Sequence, residues 1–132
     1  GLFEGRDVIV DNCEVRDFEG SGITVGNSDE ARRMRIVNSR VRDVGGSGIN
    51  IQGNAQQCHV AHNDIEGVAD PDDGIIVFGD YNFISFNHIA AAARYGVNTS
   101  GGEWNVIIGN QSRGTGNSIG VNNTAANNAD DA

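Results

Sequence analysis

Short apolar runs alternate with polar residues along most of the chain, and the runs recur in register. The pattern Gly-(Ile/Val)-x-apolar occurs as Gly22-Ile23-Thr24-Val25, Gly48-Ile49-Asn50-Ile51 and Gly74-Ile75-Ile76-Val77, then more loosely as Gly96-Val97-Asn98-Thr99 and Ser118-Ile119-Gly120-Val121. Successive copies are 26, 26, 22 and 22 residues apart. A second pattern keeps pace: Val10-x-x-Cys13-x-Val15, Ile36-x-x-Ser39-x-Val41, Val60-x-x-Asn63-x-Ile65, Ile84-x-x-Asn87-x-Ile89 and Ile107-x-x-Asn110-x-Ser112. Alternation punctuated by Gly, Asn and Asp predicts short strands joined by tight turns, and no stretch has a helical period.

A unit of this length cannot bury an apolar face alone, whereas stacking the units sets each isoleucine over its equivalent and builds a continuous core. The expected architecture is all-β, a right-handed parallel β-helix of about five coils over residues 8–33, 34–57, 58–81, 82–103 and 104–123. At ordinary strand spacing such a column is only about 24 Å tall. A sandwich of hairpins is the alternative, but it would not hold two motifs in fixed order through every repeat. Residues 1–7 read as the end of an earlier coil, and 124–132, without apolar periodicity, as an irregular tail. Open β-helix ends expose strand edges, so flanking chain or oligomer contacts are expected to cap them, and the sequence has the look of an excised piece. Asn63, Asn87 and Asn110 predict a stacked amide ladder at a turn, with Cys13 and Ser39 filling its first two slots.

This repeat resembles the pectin-lyase-like β-helix superfamily over essentially residues 8–123. Its members include pectate and pectin lyases, polygalacturonases, alginate lyases and mannuronan C5-epimerases, beside phage tailspikes and non-catalytic surface proteins. The resemblance implies the fold, an extracellular or cell-surface location and a polysaccharide partner; it does not select an activity. Asp70-Pro71-Asp72-Asp73 is similar to the Asp-Pro-His-Asp signature of bacterial alginate epimerases, with Asp at the histidine's position. Asp72-Asp73-Gly74-Ile75 is similar to the paired-aspartate strand of polygalacturonases, whose remaining motifs are absent.

Composition narrows the partners. A net charge of −9 argues against non-specific nucleic-acid binding. An acidic polysaccharide would need a local cationic patch or calcium to offset the general repulsion. All nine cations are arginine, so any mechanism that uses a lysine is ruled out within this chain. No apolar run is long enough to span a membrane, and residues 1–6 lack the pattern of a signal peptide. Cys13 and Cys58 sit two coils apart at different positions, too far for a disulfide, and two free thiols are expected. No Cys/His spacing suggests zinc.

Candidate chemistry concentrates in coils three and four. There Pro71, Asp72 and Asp73, after Asp70, replace the glycines before the second strand, and Arg94 and Tyr95 fall in the columns of Asp72 and Asp73. Removing the C5 proton of a uronate needs a group to neutralise its carboxylate and a base. Arg94 fits the first role and Tyr95 the second, with Asp72 and Asp73 as the remaining catalytic candidates. Asp70, Phe78 and Tyr81 are the substrate-binding candidates. Asp72 and Asp73 are the candidate ligands for calcium, the one cofactor considered beside none. An ordinary turn with an Asp72–Arg94 surface ion pair explains the same residues without chemistry. His59, His62 and His88 read as strand residues rather than ligands. Phe78, Tyr81, Phe83, Phe86, Tyr95 and Trp104, six of eight aromatics, read first as core fillers and turn packing. The functional expectation is a carbohydrate-active module acting on or binding an acidic polysaccharide, and its rival is a non-catalytic surface, fibre or tail module.

Overall fold

The computed structural model describes residues 1–69, 71–92, 94–99 and 101–113, together with the backbone of 121–122 and 129–131. Among the described residues there is no helix, and the strands form four parallel sheets. Sheet A stacks Leu2–Phe3, Ile23–Val25, Ile49–Ile51, Ile75–Val77, Val97–Asn98 and Val121–Asn122. Sheet B is narrow, with Gly5–Arg6, Ala31–Arg32 and Ala55–Gln56. Sheet C contains Ile9–Asp11, Arg35–Val37, His59–Ala61, Phe83–Ser85, Val106–Ile108 and Ala129–Asp131. Sheet D contains Glu14–Phe18, Arg40–Val44, Asp64–Val68, His88–Ala92 and Gln111–Arg113. The chain visits A, B, C and D in turn through its first three rounds and A, C and D thereafter, returning to A one coil on, which is a parallel β-helix.

The register explains the repeats. Ile23, Ile49, Ile75 and Val97 lie one over another in sheet A, and Val10, Ile36, Val60, Ile84 and Ile107 do the same in sheet C. All point inward and are buried. The recurring glycine is required by close approach. A Cβ at Gly48 would stand 2.5 Å from both the Gly74 carbonyl oxygen and Ile65 Cγ2, and one at Gly74 would stand 2.4 Å from Ile89 Cγ2. Leu2–Phe3 pairs with Thr24–Val25, so the first residues continue the solenoid. Of the motif copy beginning at Ser118, Ser118-Ile119-Gly120 lies outside the described residues, while Val121–Asn122 pairs with Val97–Asn98. Within the stretch expected to be irregular, Ala129–Asp131 pairs with Val106–Ile108, and the rest of 124–132 lies outside the described residues.

Corners are made by single residues in the left-handed region. Asp7, Arg33, Gln57, Tyr81 and Trp104 turn the chain into sheet C; Asn12, Asn38, His62, Phe86 and Gly109 turn it from C into D, with φ between 53° and 66° throughout. Each corner is followed by a ladder position. After the C-to-D corner, the backbone N–H of Ser39, Asn63 and Asn87 donates to Oδ1 of Asn63, Asn87 and Asn110, each at 3.0 Å. The positive φ therefore falls on the residue before each ladder asparagine and not, as the turn argument implied, on the asparagine itself. A second buried ladder follows the B-to-C corner: the N–H of Cys58 donates to Asn82 Oδ1, and that of Asn82 to Asn105 Oδ1, both at 2.8 Å. Both cysteines are free; Cys13 is exposed and Cys58 buried, where loss of solvation raises its thiol pKa.

Candidate functional site

Asp73 is the centre of the cluster in coils three and four, and it is wholly buried. Its Oδ1 accepts from Arg94 Nε at 2.9 Å and from the Tyr95 backbone N–H at 3.0 Å. Its Oδ2 accepts from Arg94 Nη2 at 2.6 Å and from Asn98 Nδ2 at 2.8 Å. Four donors occupy the roughly four lone-pair directions of a carboxylate. The hydrogen bond to Asp73 is the main reason the pKa of Arg94 is raised. Arg94 thus pairs bidentately with Asp73 rather than with Asp72 of its own column. Its guanidinium lies 5.8 Å from the Tyr95 ring centroid, a cation over a π face.

Asp72 is half-buried and accepts from Ser47 Oγ at 3.3 Å. Asp70 lies outside the described residues. No group of three or more His, Cys, Asp or Glu side chains that could hold a metal ion occurs among the described residues. Sheet A's outward column beside the cluster is covered: Ile76 and Asn98 are only 9% and 3% exposed. The structure therefore brings Asp73, Arg94 and Tyr95 together as one packed network, and sets Phe78 and Tyr81 at the surface instead.

The aromatics are not core fillers. Phe78, Tyr81, Phe83, Phe86 and Trp104 are 39%, 56%, 39%, 54% and 52% exposed. Their positions in the coil are the cause. Phe83 begins a sheet C strand on its outer side, opposite His59 below and Val106 above. Tyr81, Phe86 and Trp104 are corner residues with φ of 59°, 53° and 57°. Read row by row, the outer face of sheet C and its corners carry Arg33, Arg35 and Asn38, then Gln57, His59 and His62, then Tyr81, Phe83 and Phe86, then Trp104 and Val106. From Arg33 to Val106 none of these columns contains a carboxylate, in a chain whose net charge is −9. The histidines are in ring contact: His62 stacks on Phe86 at 5.6 Å, and His59 meets Phe83 edge-on at 5.2 Å.

His88 lies elsewhere, on the outer face of sheet D, with Nδ1 3.1 Å from Asp64 Oδ1 and Nε2 3.0 Å from Arg113. It belongs to a lattice of exposed charges in which Arg42 also approaches Asp64 and Glu66. Arg35, His59, Phe83, Phe86 and Trp104, which share this face, were not among the site candidates drawn from the sequence. A signal was present. In the pattern Ile84-x-x-Asn87, the position before the isoleucine faces outward and the one before the asparagine is the corner, so Phe83 and Phe86 were assignable to the surface.

Parallel strands returning coil after coil to the same sheets, with recurring one-residue corners and stacked asparagine ladders, define a β-helix. The chain belongs to the family described as the right handed beta helix region, whose profile matches residues 1–70. This agrees with the resemblance to the pectin-lyase-like superfamily, and the solenoid is accordingly right-handed. No curated protein and no solved structure matches the chain.

Proposed function

We propose that this β-helix is a carbohydrate-active module that binds an acidic polysaccharide across the outer face of sheet C. One observation carries the reading: Tyr81, Phe83, Phe86 and Trp104 present their rings to solvent on adjacent rows of one rigid sheet. Three of these rings sit in the left-handed region, where a bulky residue is disfavoured and Gly or Asn is not. Exposed rings at strained corners add little to the core, which points to a role outside it. Flat aromatic faces suit the apolar faces of sugar rings, and a carboxylate-free strip lowers the repulsion that the rest of the molecule imposes on an acidic chain.

The geometry favours binding over turnover at Asp73. A general base needs an accessible lone pair within reach of the proton, and Asp73 has neither solvent contact nor an unoccupied acceptor direction. The rival role, a structural or adhesive module, uses the same ring face without chemistry.

Proton NMR of the full chain with polygalacturonate, alginate and neutral glycans tests this. The expected result is a shift of the Trp104 indole and of the exposed Tyr and Phe rings, with no new glycan signals. Folded protein that binds none of them refutes the reading. New unsaturated ends or inverted C5 signals, lost in Asp73→Ala but not in a stability-matched core variant, would return the chemistry to coils three and four.

A further inference from the structure

We propose that Arg35 and His59, Cα partners on neighbouring strands of sheet C, form an anion-reading subsite that takes the carboxylate of a uronate whose ring stacks on the adjoining aromatics. The inference rests on the ring-face reading above and adds to it a location for the charge and a proton dependence.

Arg35 is the available cation on this face. Its neighbour Arg33 is held bidentately by Asp7 at 2.7 and 2.8 Å, whereas Arg35 is exposed and has no ion-pair partner among the described residues. An unpaired arginine in a strongly acidic molecule has its fork free for two carboxylate oxygens. His59 lies one strand along, about 4.8 Å away at ordinary strand spacing. Its ring meets Phe83 at 5.2 Å between centroids, and its Nε2 is 3.3 Å from Ser85 Oγ. Charge and ring surface are thus one strand apart. A uronate carries its carboxylate directly on the sugar ring, and so can satisfy both at once; a charge on a distant substituent cannot.

The histidine makes the subsite responsive to protons. Burial, then Arg35, then His62 lower the pKa of His59, which favours the neutral imidazole in the free protein. The groups facing it are Arg35 below, Phe83 and Ser85 above and His62 at the corner; the nearest carboxylates in sequence to the upper rim, Asp80 and Glu103, precede Tyr81 and Trp104. A bound carboxylate favours the imidazolium. Binding of an acidic glycan therefore takes up a proton and strengthens as pH falls, provided the carboxylate itself stays ionised, which holds above about pH 5.

Calorimetric titration of the full chain with oligogalacturonate, its methyl ester, a sulfated neutral glycan and a single-stranded oligonucleotide, at pH 5 to 8, tests the inference. The acid is expected to bind about tenfold more tightly at pH 5 than at pH 8, and the ester equally at both. At pH 8, where the imidazole is neutral, Arg35→Ala should bring acid and ester to the same affinity. His59→Gln should remove the pH dependence, and Trp104→Ala should weaken acid and ester alike. Equal binding of acid and ester by the native chain, or an Arg35→Ala variant that still discriminates at pH 8, overturns the subsite and leaves the ring platform standing. Tighter binding of the sulfated glycan or the oligonucleotide overturns the assignment to uronate. Failure of a folded chain to bind any glycan removes the ring-face reading and the subsite with it.

Discussion

Replacing Asp73 by alanine separates a structural carboxylate from a reacting one. The substitution removes four acceptor contacts at once. The Tyr95 N–H and the Asn98 amide each lose an acceptor whose own site is wholly buried, and a buried donor that loses its acceptor costs about 1–3 kcal/mol. Asn98 is 3% exposed, so water does not readily replace the lost partner. Arg94 is different: its side chain is 42% exposed and can turn to solvent, which holds its share below about 1 kcal/mol. The total is a loss of about 3 kcal/mol, a large part of the 5–15 kcal/mol typical of a domain. Asp73→Asn keeps the shape but presents an N–H to a shell of donors, and is expected to lose about 2 kcal/mol. Tyr95→Phe, which leaves the backbone N–H in place, serves as the control and should stay within about 0.5 kcal/mol. Urea denaturation followed by far-UV circular dichroism measures all three. A loss below about 1 kcal/mol for Asp73→Ala would refute the reasoning, since it would mean that the four bonds do not hold coils three and four together.

The ladders, the corners and His59 give further predictions. Asn87→Ala orphans the buried Asn63 N–H and the Val60 carbonyl, with an expected loss of about 3–4 kcal/mol by urea denaturation. Trp104→Asn or Tyr81→Asn replaces a strained ring by a residue at ease in the left-handed region, and should leave stability unchanged or raise it by up to about 1 kcal/mol while glycan binding weakens. A lost transition midpoint in either would place the ring in the core instead. For His59 the folded pKa is lowered, so its contribution to stability is present above the ordinary imidazole value of about 6.5 and is lost as pH falls through the folded value. Against the native chain, His59→Gln should therefore flatten the decline of thermal midpoint between pH 7 and pH 5; an unchanged slope would show that the ring is not desolvated.

Much of the fold was legible because a solenoid is close to one-dimensional. Each coil contacts mainly its neighbours, so the period of the sequence is the period of the structure. Gly48, Ile49 and Ile51 state a close approach, an inward side chain and the next inward side chain, and the register confirms each. The Asn63-Asn87-Asn110 column was readable in the same way. The Asn82-Asn105 ladder was not, because Met34 and Cys58 occupy its earlier slots and break the apparent repeat.

The candidate site was legible as a composition and not as an arrangement. Sequence columns placed Arg94 over Asp72, yet a guanidinium reaches diagonally, and the buried carboxylate one residue on offers two oxygens inside a shell completed by Tyr95 and Asn98. The aromatics misled for a related reason. Hydrophobicity alone sends a phenylalanine inward, but a one-residue corner in the left-handed region turns its side chain out whatever its chemistry, as Tyr81, Phe86 and Trp104 show.

The sequence by itself thus determined the coil, its length and its inward columns, since those follow from periodic contacts between equivalent residues in adjacent repeats. Only the tertiary structure decided which carboxylate is sealed and which rings face solvent. Both depend on where each corner falls and on what lies diagonally across the next coil, and no linear period encodes either.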